Sequence, residues 1–232
     1  LLVFAHRGAS AIAPENTLLA ISAAVQHNAD GIEFDVYQHG NEFILIHDCW
    51  LHRTTDGRGN IYDFTLAELQ AFNAGQGEKI PTLAQVLTRI SGACQINIEM
   101  KGVQDAQAIL SYVNQVVTEQ HIPANNIIYS SFDHHLLKEI KSLQPDARIG
   151  ALTANKPLTY AKFAEDLQAE YMNADVTFVD QAFVEDAHAR GLKIGVYTVD
   201  QAQDLARLKS WGVDMVFSNH PANAKRIIKN LK

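Results

Sequence analysis

Gly31-Ile32-Glu33-Phe34-Asp35-Val36 alternates two acids with three bulky apolar residues. Period-two alternation is the pattern of a strand, so Glu33 and Asp35 share one face and Ile32, Phe34 and Val36 share the other. Apolar residues packed outward on helices, with acids turned inward, suit a strand of a closed parallel barrel. Gln95-Ile96-Asn97-Ile98-Glu99-Met100-Lys101 repeats the pattern, with Asn97, Glu99 and Lys101 inward. Upstream, Leu1-Leu2-Val3-Phe4-Ala5 reads as a buried strand that runs straight into His6-Arg7-Gly8.

Outward from these segments, strand and helix patterns alternate along the chain. Strands are predicted at 1–5, 31–36, 95–101, 127–130, 148–152, 170–173, 193–198 and 214–218. Helices are predicted at 16–27, 82–90, 105–120, 134–143, 158–167, 181–190, 201–211 and 221–231. Gly191 and Gly212 follow helix ends and Pro221 takes a first-turn position. Eight strand–helix units predict an α/β fold of the (β/α)8 TIM barrel type, one domain over 1–232, rather than an open doubly wound sheet. The rhythm breaks once, at 37–81, a small insertion after the second strand with an extra strand at 42–46 and a Gly-rich turn, Asp56-Gly57-Arg58-Gly59-Asn60. A long βα loop lies on the catalytic face of a barrel, where it shapes a substrate pocket.

Bulk properties exclude several classes. A formal charge of −7 and no basic run argue against nucleic-acid binding. The longest apolar runs have only strand length, so no segment spans a bilayer and no stable membrane association is expected. Cys49 and Cys94 lack metal-ligand spacing. One long-range disulfide is open to them, but two free thiols in a reducing compartment are the expected state, and with it a cytoplasmic location.

The predicted strand ends carry the chemistry. Three inward carboxylates, Glu33, Asp35 and Glu99, are costly in a barrel that is usually filled with branched apolar residues. An all-oxygen set suits a hard divalent cation, Mg²⁺ or Ca²⁺, rather than Zn²⁺. The competing reading is a buried ion network in which Arg7 and Lys101 merely neutralise the acids. His6 and His47 each follow an apolar run and emerge at the barrel mouth, beside Arg7 and Asp48. Imidazoles exchange protons near neutrality, and a pair supplies one base and one acid on opposite sides of a phosphorus atom. Arg7 offers a planar fork for phosphate oxygens and Lys101 a point charge. A Schiff-base role for Lys101 requires a neutral amine, which three nearby carboxylates disfavour. In Pro14-Glu15-Asn16-Thr17 the turn enters the first helix with Asn16 or Thr17 as its cap, while Glu15 is a candidate to hold Arg7 or a site hydroxyl. Later strand ends supply Ser130-Ser131-Phe132, Tyr197-Thr198 and Ser218-Asn219, and Phe132, Phe178 and Tyr197 are candidates for an apolar substrate wall or for core and lid positions. His220 lies near the mouth without an evident partner.

In order and spacing, these residues resemble the glycerophosphodiester phosphodiesterase family, in its compact bacterial form, over essentially the whole chain. The matching segments are His6-Arg7-Gly8, Pro14 to Thr17, Glu33-Phe34-Asp35, His47-Asp48, Leu51 to Gly57, Ile80 to Leu83 and Glu99-Met100-Lys101. The resemblance implies that Glu33, Asp35 and Glu99 hold the divalent ion, that His6 and His47 are acid and base, and that Arg7 and Lys101 grip the phosphate. The family's seventh strand commonly reads Val-Trp-Thr-Val, where this chain has Val196-Tyr197-Thr198-Val199. Tyr197 keeps an apolar face and adds a hydroxyl, which bears on the alcohol group accepted.

The expected activity is metal-dependent hydrolysis of glycerophosphodiesters to glycerol 3-phosphate and an alcohol, a step of glycerol and lipid metabolism acting on a small-molecule substrate. A phospholipase D-like enzyme acting on lysophospholipids and a silent phosphoester-binding barrel are the alternatives. No Ser, Cys or Thr is backed by a base, so the attacking oxygen belongs to water or to the substrate's own glycerol 2-hydroxyl, the latter favoured by its tethering.

Overall fold

The computed structural model describes residues 1–231. Strand β1 (Leu2–His6) pairs in parallel with both β2 (Gly31–His39) and the last strand, β9 (Met215–Ser218), and this double pairing closes the sheet. Between them run β4 (Gln95–Gly102), β5 (Ile127–Ser131), β6 (Ile149–Thr153), β7 (Tyr171–Asp175) and β8 (Lys193–Tyr197), each parallel to its neighbours. The result is a closed (β/α)8 barrel of eight parallel strands. Outside it lie α1 (Leu18–Gln26), α3 (Leu83–Ile90), α4 (Ala106–Glu119), α5 (His134–Leu143), α6 (Lys162–Asp166), α7 (Gln181–Ala189), α8 (Ala202–Ser210) and α9 (Pro221–Asn230). Their starts follow local chemistry: Thr17, Thr82, Asp105, Asp133 and Asp180 each accept a first-turn N–H, and Pro221 opens α9.

Two apolar layers follow from the alternation. Ile32, Phe34, Val36, Ile96 and Ile98 point outward into the shell shared with the helices. Phe4, Ile128, Tyr171, Met215 and Phe217 plug the barrel interior, with Phe4 edge-on to Phe217 at 5.7 Å between ring centroids. Gly31 makes room for this plug, since a Cβ there would lie 2.3 Å from Phe4 Cε1. Truncating a fully buried ring such as Phe4 costs about 3–5 kcal/mol. A polar layer sits in the same interior. Asn97 Nδ2 donates to Ser130 Oγ at 2.9 Å, and the fully buried Asn173 occupies space that side chains at Gly150 and Gly195 would fill, 2.8 and 2.4 Å from its amide atoms.

The insertion is more ordered than a loop. β2 runs beyond 36 to His39 because β3 (Glu42–Leu45) folds back on it antiparallel, from Val36 opposite Leu45 to His39 opposite Glu42. Short helix α2 (Leu66–Leu69) follows, capped reciprocally by Thr65 and Glu68. Ile44, Ile46, Leu51, Ile61, Leu69 and Ile80 give the segment a small core of its own. The helix expected at 158–167 shortens to Lys162–Asp166, because Tyr160 N–H bonds back to the Pro157 carbonyl and Tyr160 takes φ +47°. Cys49 and Cys94 are free thiols. Among the described residues no helix is long and apolar enough to cross a membrane.

Candidate active site

A cavity of about 310 Å³ opens at the C-terminal ends of the strands, lined by His6, Arg7, Glu33, His47, Glu99 and Lys101 among others. Asp35 lies just beneath, 1% exposed, and one carboxylate oxygen from each of Glu33, Asp35 and Glu99 falls within 4.8 Å of the others. Strand register explains the convergence: Asp35 stands opposite Glu99, and Glu33 opposite His6, on three adjacent strands. Burial first, then Asp35 and Glu99, push the Glu33 carboxyl well above the usual range. Burial and Asp35 push Glu99 up to about 7.

Two cations counter these acids. Arg7 Nε lies 3.3 Å from Asp35 Oδ2, and Lys101 Nζ lies 2.5 Å from Glu99 Oε1 and 3.6 Å from Asp35 Oδ1. Burial alone would lower the Lys101 amine, but Glu99 and Asp35 outweigh it and hold the amine above its ordinary value; an amine paired with two carboxylates is a poor Schiff-base nucleophile. Part of Arg7 is also spent on Glu15, 2.9 Å from Nη1. Glu33 Oε2 accepts the Arg7 backbone N–H at 2.8 Å, whereas buried Glu33 Oε1 has no hydrogen-bond partner. Three buried carboxylates against two shared cations, with one oxygen unpartnered, leave negative charge uncompensated. The set therefore fits a metal ion.

The two histidines reach the cavity with opposite supports. His47 Nδ1 lies 2.7 Å from Asp48 Oδ1, which leaves Nε2 as its other proton-exchanging atom. Burial opposes ionisation of Asp48, but bonds from Arg53 and His47 prevail and hold its carboxyl below the usual range. Arg53, from the insertion, contacts Asp48 through Nε and Glu15 through Nη1 and Nη2 at 3.0 and 2.8 Å. His6 Nδ1 instead meets a neutral carboxamide, Asn219 Oδ1, at 2.8 Å. Burial and the adjacent Arg7 push the His6 imidazolium down to about 4.

Several placements differ from expectation. Of the two cap candidates Thr17 caps α1, which frees Asn16 for a part not expected of it: its buried carboxamide turns to Asp35. Phe132 and Tyr197 line the cavity, edge-on at 6.1 Å, with Lys101 Nζ 5.3 Å from the Phe132 ring centre. Phe178 is exposed and lies outside the lining. The Tyr197 hydroxyl donates to the Thr153 carbonyl at 2.8 Å, so the group added relative to tryptophan is tied to β6. Leu152, Ala154, Asp175 and Phe217 complete the apolar side of the cavity with one carboxylate. Asn16, Arg53 and Asn219 are site-supporting residues to which sequence reasoning gave no such part. The available signals were positions beside strand ends and the Leu51 to Gly57 segment.

Residues 6–223 match the model of the glycerophosphoryl diester phosphodiesterase family. A glycerophosphodiester phosphodiesterase of Caldanaerobacter subterraneus is 32% identical, over 98% of this chain and 98% of that protein. The solved structure of an Oleispira antarctica phosphodiesterase, in complex with the product sn-glycerol-3-phosphate, superposes with a TM-score of 0.91 at 33% identity, covering 99% of this chain and 97% of that one. A glycerophosphodiester phosphodiesterase from Thermotoga maritima does so at 0.80 and 26% identity, with 98% of each chain covered. A closed barrel with buried acids, paired cations and two histidines around one cavity thus stands within a defined lineage: the chain belongs to the glycerophosphoryl diester phosphodiesterase family and is an enzyme of that class.

Proposed function

We propose that this chain, acting as one domain over 1–232, hydrolyses glycerophosphodiesters to glycerol 3-phosphate and an alcohol with a divalent cation, Mg²⁺ or Ca²⁺. The observation that carries the proposal is the convergence of His6, His47, Arg7, Lys101 and the acidic cluster around one cavity. The product bound in the Oleispira antarctica relative supports it.

Glu33, Asp35 and Glu99 hold the cation, as all-oxygen ligands suited to a hard ion. When bound, it supplies Lewis acidity toward phosphoryl oxygen and acidifies a hydroxyl. Arg7 and Lys101 bind and orient the phosphate. One imidazole, presented through Nε2, takes the proton of the attacking oxygen, and the other protonates the departing alcohol. The attacking oxygen is the substrate's glycerol 2-hydroxyl, which gains the effective concentration of a tethered group. The cyclic phosphate left when the alcohol departs is then opened by water, the two imidazoles exchanging roles, to give glycerol 3-phosphate. Phe132 and Tyr197 form the wall beside the alcohol. The substrate is a small molecule in the cytoplasm, and neither nucleic acid nor a membrane is a partner.

Product analysis by phosphorus NMR on a panel of glycerophosphodiesters and lysophospholipids tests the reading. Glycerol 3-phosphate from the diesters, lost in excess chelator and restored by MgCl2 or CaCl2, is the expected result. Turnover undiminished by chelator in a metal-free preparation overturns the cation assignment, and turnover confined to lysophospholipids overturns the substrate. A 2-deoxy diester that reacts as fast as its parent makes water the nucleophile.

A further inference from the structure

Asn219, the residue after β9, has each polar side-chain atom engaged. Its Nδ2 donates to Asp200 Oδ2 at 2.7 Å, and its Oδ1 lies 2.8 Å from both His6 Nδ1 and Ser10 Oγ. Asp200, in the loop after β8, is itself fixed: its Oδ1 accepts from Ser218 Oγ at 2.8 Å and from the Asn219 backbone N–H at 2.9 Å. A carboxylate only accepts hydrogen bonds. Asp200 therefore selects the amide end of Asn219 and rejects the flipped carboxamide, which would set oxygen against oxygen. Asn219 Oδ1 must then receive a proton from its neighbours. The Ser10 hydroxyl has one proton and also lies 2.8 Å from the His6 carbonyl, so it cannot fully satisfy both acceptors.

We propose that Asp200 and Asn219 form a tautomer clamp, in which the Asp200 carboxylate orients the Asn219 carboxamide and that carboxamide holds neutral His6 with its proton on Nδ1. The bare Nε2 lone pair is then the one turned to proton transfer. Both are positioning residues, acting through His6, and the proposal rests on the reading of His6 as a proton carrier. Polarity runs in one direction along the chain from His6 through Asn219 to Asp200, so reversing a single link reverses the tautomer. In Asp200→Asn, the new Oδ1 can keep the bonds from Ser218 and the Asn219 backbone, but the new amide then faces Asn219 Nδ2, donor against donor. Relief comes from flipping Asn219, which aims its amide at His6 and demands a lone pair on Nδ1. In the double variant D200N/N219D, the carboxamide introduced at position 200 donates to the carboxylate introduced at 219. That carboxylate again accepts from His6 Nδ1.

The test is long-range proton–nitrogen NMR at neutral pH with MgCl2 present, the His6 signals being assigned by their loss in His6→Ala. The expected wild-type pattern is a protonated Nδ1 and a bare Nε2. D200N should move His6 toward the opposite tautomer and lower kcat about tenfold to a hundredfold, a fraction of what a general acid–base group contributes. KM should stay within about twofold, and D200N/N219D should recover both the spectrum and most of kcat. A wild-type His6 protonated on Nε2 overturns the clamp without needing any variant to fold. So does a D200N protein that keeps the wild-type tautomer, whatever its rate. Full activity in His6→Ala instead removes His6 from the chemistry, an outcome the spectrum keeps separate from failure of the clamp.

Discussion

Asn16 and Asp35 exchange two hydrogen bonds: Asn16 Nδ2 donates to Asp35 Oδ2 at 2.9 Å, and the Asp35 backbone N–H donates to Asn16 Oδ1 at 3.1 Å. Asn16 takes φ +58° to reach this position, a left-handed conformation that asparagine tolerates better than most side chains. The pair ties the turn before α1 to the centre of the acidic cluster.

Asn16→Ala should loosen Asp35 and leave its buried N–H unpaired. If Asp35 ligates the ion as proposed, titration calorimetry with MgCl2 should show affinity lower by about tenfold to a hundredfold, the usual scale for a support behind a metal ligand. Thermal unfolding should show about 1–3 kcal/mol lost to the unpaired group. Unchanged affinity would mean that Asp35 holds its place without Asn16.

Replacing either histidine by alanine should cost about 10²- to 10⁴-fold in kcat. If the two work on one transition state, the double variant should be far less than multiplicatively worse. Steady-state kinetics on a glycerophosphodiester decides this, and a single variant of near wild-type kcat would exclude that residue from the mechanism.

Arg53 reaches from the insertion to Glu15 and Asp48 at once, and Asp48 supports His47. Arg53→Lys should fail to restore the activity lost in Arg53→Ala, because an ammonium cannot span two carboxylates with a planar fork. The expected loss is about tenfold in kcat for both. Full rescue by lysine would reduce the link to simple charge.

Glu170 binds Arg148 at 2.6 Å and Lys193 at 2.9 Å, far from the chemistry. Burial opposes its ionisation, but those bonds dominate and hold the carboxyl down to about 2. A depressed folded value means that the unfolded chain takes up protons first as pH falls, so this stabilisation is present above about 4.5 and disappears toward 2. Glu170→Gln should destabilise the protein at pH 7 by about 1 kcal/mol, after allowance for solvent screening of a partly exposed pair. Denaturant melts should show the gap to wild type closing as pH falls from about 4.5 toward 2; a constant gap would assign the loss to packing.

What was legible in the sequence was periodic. Alternation turned Glu33, Asp35 and Glu99 inward, and eight repeats of strand and helix implied closure. What was not legible is carried by neutral or distant partners. Asn219 meets His6 across 213 positions, and Asn16 meets Asp35 across 19. An asparagine beside a strand end has the same local signature whether it caps a helix or holds a side chain of the cavity in place, and only the closed barrel decides. The hairpin extension of β2 escaped notice for a related reason: strand length there is set by the returning partner, not by β2's own residues.

Asn173 fits its place only because β6 and β8 offer Gly150 and Gly195 on either side of it. The three positions, on three neighbouring strands, thus share one fixed allotment of space and cannot drift independently. Enlarging Gly150 requires a smaller residue at 173, enlarging Gly195 requires Met215 to yield as well, since its Cε would lie 2.8 Å from the added Cβ, and a lone Asn173→Ala opens a void beneath the cavity. Descendants of this barrel that alter its floor must do so by exchange between strands, with the bulk passed from one to the next.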